Sequence, residues 1–113
     1  MKQELLPKGS DLKILVDVSE LGEDIVLGNI AYSLEFTSGD SKKTFDVTIE
    51  DEEQSLPAGL KVLDENRVVA AIKGSELDRG DVWLRAILSI PDEDFTDGIR
   101  VEIHEIDQHI TIF

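Results

Sequence analysis

Every second residue from Val82 to Ile90 is apolar, and that alternation constrains the chain more than any other feature. Successive Cβ atoms of a strand point to opposite faces, so Val82, Leu84, Ala86, Leu88 and Ile90 share one side. Trp83, Arg85, Ile87 and Ser89 share the other, which is mixed. A strand apolar along one full face and half-apolar along the other is expected at the centre of a sheet. A helix over 82–90 is the competing reading, but the alternation fits a period of two better than the helical period. The stretch is bracketed on both sides. Ser75 is placed to cap a single helical turn, with Asp78 three residues on and Gly80 free to take a left-handed exit. Pro91, which has no N–H to give a ladder, closes the far end, and Asp97-Gly98 forms a turn pair.

The remaining chain repeats the theme in shorter runs. Residues 1–10 read as an entry arm ending in Pro7 and Gly9-Ser10. Leu12, Ile14, Val16 and Val18 face one way, with Lys13 and Asp17 on the other side, as a half-buried strand. The 19–28 segment is polar, and its Ile25-Val26-Leu27 is too short to assign. Ile30, Tyr32, Leu34 and Phe36 line one face of a strand. Across the turn cluster 38–41, Phe45, Val47 and Ile49 line one face of the next, which predicts a β-hairpin. An acidic loop over 51–59 leads to a short strand at Leu60–Leu63. A turn at 64–66 leads to a strand over 67–73, where Val68, Ala70 and Ile72 alternate with Val69 and Ala71. The small alanines there predict close packing beside a bulky neighbour such as Trp83. After the central strand, Ile99, Val101 and Ile103 alternate with Arg100, Glu102 and His104. A turn is expected near Asp107-Gln108, before a last short strand carrying Ile110 and Ile112. Seven or eight short strands separated by turns, with almost no helix, predict an all-β antiparallel sandwich of immunoglobulin-like type in one domain spanning 1–113.

Composition narrows the function classes. The chain has 113 residues, with 25 acidic against 11 basic side chains and a formal charge of −14. Such a surface repels nucleic acid and anionic membranes. With no cysteine, there is no disulfide, thiol nucleophile or thiolate metal site. The N-terminus carries no apolar run of signal-peptide length, so synthesis in the cytoplasm is expected.

Candidate sites were weighed against plain structural roles. Asp92, Glu93, Asp94 and Asp97 offer oxygen ligands to a hard cation. They lack the glycine and terminal glutamate of an EF-hand loop, so a solvated acidic turn is expected. The run from Glu50 to Glu53 reads as a charged loop protecting a strand end. His104 and His109 have an odd spacing that would put them on opposite faces of one strand, which does not make a metal pair. Trp83 and Tyr32 are candidates for stacking on a sugar, although a single tryptophan in a central strand is usually core. No catalytic triad, paired-carboxylate spacing or phosphate-binding loop is present. No catalytic, cofactor-binding or metal-ligating residue is therefore singled out.

The segment Glu76–Arg85 (ELDRGDVWLR), together with Ile90–Arg100 (IPDEDFTDGIR), resembles small proteins of Bacteroides-type phages and prophages. More distantly, the chain is similar to immunoglobulin-like N-terminal modules of phage baseplate and tail proteins. There, a leucine-x-x-glycine turn precedes a long alternating strand and an acidic segment follows it. The opening Gly9–Ile14 and the closing Ile110–Phe113 are similar too. The resemblance implies a non-enzymatic structural or interaction module associated with a phage tail or baseplate, as an adaptor, decoration or tail-tip subunit. Its partners would be virion proteins or further copies of itself, meeting an edge strand or the acidic loops at 51–56 and 92–98. The rival expectation is a carbohydrate-binding or adhesin-like module of a gut bacterium that uses Trp83 or Tyr32.

Overall fold

The computed structural model describes residues 3–22 and 25–113. Among these, nine strands form two facing sheets. They are β1 (Glu4–Leu6), β2 (Leu12–Asp17), β3 (Ala31–Ser38), β4 (Ser41–Glu50), β5 (Glu53–Ser55), β6 (Leu60–Val62), β7 (Arg67–Ile72), β8 (Gly80–Pro91) and β9 (Ile99–Ile112). The larger sheet has the order β1-β9-β8-β3-β4-β5 and the smaller the order β2-β7-β6. The chain is thus the all-β sandwich that the alternation predicts.

The strand over 82–90 is central, paired to β3 on one side and β9 on the other. Val82, Leu84, Ala86, Leu88 and Ile90 are all buried, as are Tyr32, Leu34 and Phe36 on β3 and Phe45 and Val47 on β4. Leu12, Ile14 and Val16 of β2, Leu60 of β6, and Val68, Ala70 and Ile72 of β7 pack into the same core from the smaller sheet. Burying a Leu, Val or Phe side chain contributes roughly 1.5–3 kcal/mol, so this layer outweighs every surface interaction described below. Phe36 and Phe45 meet edge-to-face, with ring centroids 6.0 Å apart, the arrangement that the ring quadrupoles favour.

The expected β3–β4 hairpin forms through Gly39-Asp40, with Ser38 opposite Ser41. Gly39 has φ +57, and a Cβ there would lie 2.8 Å from the Arg79 carbonyl oxygen. Ser38 is the one buried polar side chain among the described residues. Its Oγ donates to the Asp78 carbonyl. Ser41 Oγ donates to the Ser38 carbonyl at 2.7 Å and accepts from the Asp78 N–H at 2.8 Å. Two serines thus tie the hairpin tip to the loop that launches β8.

Several expectations are corrected. Part of the entry arm is a strand, because β1 pairs in parallel with Ile110–Ile112 of β9, so the sheet is not wholly antiparallel. Glu53–Ser55 adds a short strand beside β4. No turn separates His104 from Ile110. The β8–β9 register slips between Asp81 and Trp83, and His109 takes φ +56. The Asp107 carboxylate accepts from His109 N at 2.8 Å. Local turn chemistry here produces a bulge within one long strand instead of ending it. Ser75 lies inside a three-residue 3-10 turn, Gly74–Glu76, and the Glu76 carboxylate accepts from Lys73 N at 3.3 Å. The alanines do not meet Trp83: Ala70 faces the core from the smaller sheet, and Trp83 lies on the outer face of the larger one. In the 19–28 segment, Ile25 and Leu27 are buried, while Glu23 and Asp24 lie outside the described residues.

Candidate interaction surface on the edge strand

β9 reverses the usual orientation of an amphipathic strand. Its even residues sit opposite the buried face of β8: Arg100 against Ile90, Glu102 against Leu88, His104 against Ala86. Its odd residues, Ile99, Val101 and Ile103, face solvent, and Val101 is 58% exposed. Directly opposite them on the outer face lie Pro91, Ser89 and Ile87. An apolar ribbon therefore runs along the outside of the larger sheet toward the β8–β9 turn, where Phe95 is also exposed. Toward the other end the same face becomes polar. Arg85 lies between Glu35 and Glu105, and Lys42 Nζ reaches Glu35 at 3.0 Å.

The inward charges are paired to one another. Arg100 Nη1 donates to Asp92 Oδ2 at 2.6 Å and Arg100 Nε to Glu102 Oε2 at 2.9 Å. His104 Nε2 lies 2.9 Å from Glu102 Oε1. All four side chains are partly shielded.

The edge of β9 is open. β1 covers only Ile110–Ile112, and among the described residues no strand pairs with 99–109 on that side. Asp92 N donates to the Gly98 carbonyl at 2.9 Å, making these a hydrogen-bonded pair in the β8–β9 register. Such pairs alternate along an antiparallel ladder, so Arg100 and Glu102 bond to β8. The amides and carbonyls of Ile99, Val101 and Ile103 point to the open edge. Ile99 N bears this out, because it bonds the Asp97 carboxylate at 3.1 Å instead of β8.

The other sequence candidates fall elsewhere. Asp92 is bound to Arg100, and its second oxygen accepts from Asp94 N at 3.0 Å; Asp97 caps Ile99. These carboxylates hold the turn in shape. Among the described residues no three His, Asp or Glu side chains are placed to hold a metal. His104 and His109 share β9, but His109 sits at the bulge, 4.0 Å from Asp107. In the run from Glu50 to Glu53, Asp51 and Glu52 form the two-residue β4–β5 turn, both with positive φ. Tyr32 is 3% exposed and cannot stack on a ligand. Burial pushes its hydroxyl up to about 12. Trp83 is 44% exposed, in a hollow of about 320 Å³ lined also by Thr37, Arg85 and Glu105.

Carboxylates elsewhere are held low by local partners. Lys73 and the Gly74 N–H lower Asp11, Lys43 lowers Glu76, and the Asn66 N–H with Arg67 lowers Asp64. None of these groups stands beside a nucleophile in an enclosed cavity.

The sequence reading missed the exposed ribbon, although its signal was present. Arg100, Glu102 and His104 alternate with three branched apolar residues, and inward charges are a known guard on edge strands. Alternation alone does not say which face turns in. No family model matches the chain, and no curated protein or solved structure matches it. Among the described residues no helix is long and apolar enough to cross a membrane.

Proposed function

We propose that this chain is a non-enzymatic protein-binding module whose contact surface is the open edge and outer face of β9. One observation carries the reading: Ile99, Val101 and Ile103 are exposed side by side along a strand whose outward backbone groups pair with no described strand. Exposed apolar surface next to unpaired ladder groups is what strand-addition partners use. The resemblance to phage tail and baseplate modules supports placing such a module in a virion tail, with another tail protein or a further copy as partner.

Site-specific photocrosslinking in the producing cell tests this. A photoreactive residue at Ile103 should give protein adducts, and one at Lys61, on the exposed face of the smaller sheet, should not. Adducts at Lys61 and none at Ile103 would sink the proposal.

A second reading has one observation in its favour. The exposure of Trp83 beside Arg85 and Glu105 keeps a carbohydrate-binding role open to that side chain. Titrating Trp83 fluorescence with soluble oligosaccharides tests it, and a saturable change would favour it.

A further inference from the structure

We propose that the open edge of β9 pairs with the same edge of a second copy, antiparallel about a two-fold axis through Val101. This rests on the reading of β9 as a protein-binding surface and names its partner. A two-fold axis perpendicular to a sheet keeps each face on its own side, so only registers pairing odd with odd and even with even residues are allowed. Five such registers place the axis within the ribbon, on residues 99 to 103, and side-chain chemistry separates them. With the axis at Ile99, Val101 meets Asp97, and with the axis at Arg100, that guanidinium meets its own copy.

With the axis at Glu102, that carboxylate meets its own copy and Arg100 meets His104. With the axis at Ile103, Val101 meets Glu105 and Ile99 meets Asp107, acid against apolar. With the axis at Val101, the outer face matches Ile99 to Ile103 and Val101 to itself. The inner face then matches Arg100 to Glu102 in both directions. Only this last register sets apolar against apolar on one face and opposite charges on the other. Both kinds of cross-strand pair are stabilising.

The backbone agrees. Val101 lies on the axis with its N–H and carbonyl pointing outward, as two-fold pairing through a bonded pair requires. The Ile103 N–H faces the partner's Ile99 carbonyl, while the Ile99 N–H is already satisfied by Asp97. The ladder stops at 98–104, because the next outer pair would set Asp97 against Glu105. That window leaves β1, which begins opposite Ile110, undisturbed.

Charge exchange across the axis tests the register. Sedimentation equilibrium of the whole chain should show a concentration-dependent dimer. Arg100→Glu and Glu102→Arg each place like charges across the axis and should weaken it at least about tenfold. Mixed in equal amounts, the two variants should form a heterodimer, since the glutamates of one meet the arginines of the other. Val101→Pro removes an outward N–H and leaves the bonds to β8 intact. It should abolish the dimer while circular dichroism shows the sheet unchanged. A wild-type chain that stays monomeric throughout overturns the proposal, and so do folded single variants that dimerise unaltered or fail to pair when mixed. A monomer whose position 103 still crosslinks to a different protein removes this partner alone and leaves the protein-binding reading standing.

Discussion

Arg100 Nε donates to Glu102 Oε2 at 2.9 Å across two residues of β9. Residues so spaced share a face only in a strand, and here they share the inner one. Because that side of β9 carries charge, the three apolar residues between and beside the pair are committed to solvent. The exposed ribbon and the inward charges are one feature, not two.

Ser38 and the Asp78 carbonyl give a test of how the hairpin tip is held. Ser38→Ala leaves the space filled but takes the donor from a carbonyl in a partly buried site. A loss of about 1–3 kcal/mol is expected, read as a lower urea midpoint with unchanged m. Gly39→Ala should cost at least as much, since its φ is +57 and the Arg79 carbonyl stands in the way. A neutral Ser38→Ala would mean that Ser41 alone ties the tip.

Tyr32 is the single tyrosine, so tyrosinate absorbance reports it alone. Its ordinary value of 10.0 rises to about 12 because burial disfavours the anion. A group raised on folding adds stability that is complete below the unfolded value and lost as pH rises through the folded one. Stability should therefore fall between pH 10 and about 12. Phenylalanine at 32 should flatten that limb. Ionisation of the folded protein at the ordinary value would contradict the burial.

Trp83 is the single tryptophan and faces outward. Acrylamide should quench it readily, in contrast to a core indole. Trp83→Ala should cost well under the roughly 2–5 kcal/mol expected for Leu84→Ala, its buried neighbour. Equal losses would place the indole in the core.

Asp11 and Lys73 join β2 to the end of β7, with Lys73 Nζ 2.7 Å from the carboxylate. Lys73 and the Gly74 N–H lower Asp11 from 3.8, and Asp11 raises Lys73 from 10.5. The Asp11 contribution is complete above pH 3.8 and lost as pH falls through the lowered folded value. The Lys73 contribution is complete below 10.5 and lost as pH rises through its raised value. Both groups are solvent-exposed, so the effects should be small and should shrink in salt. Asp11→Asn should lower the melting temperature slightly across the neutral region and converge on wild type at low pH, where the carboxyl is protonated in both states.

The sequence by itself determined the strands and most of the core. Alternation is a local property that a pleated backbone enforces, so Val82 to Ile90, Ile30 to Phe36, and Val68 to Ile72 announce their buried faces without reference to neighbours. The β3–β4 turn was legible for the same reason, because Gly39 answers a local need for positive φ. What only the tertiary structure decided was direction and partnership. Ile99, Val101 and Ile103 alternate as cleanly as any core strand, but the register with β8 sets Arg100, Glu102 and His104 opposite its buried face. Over 99–104 the inner side of β9 therefore carries the charges, and the apolar residues face solvent. Whether residues 107–109 end a strand or bulge within it depended on the register with β8, a contact between segments far apart in the chain. Local chemistry chose the elements; pairing between segments far apart in the chain chose the surface.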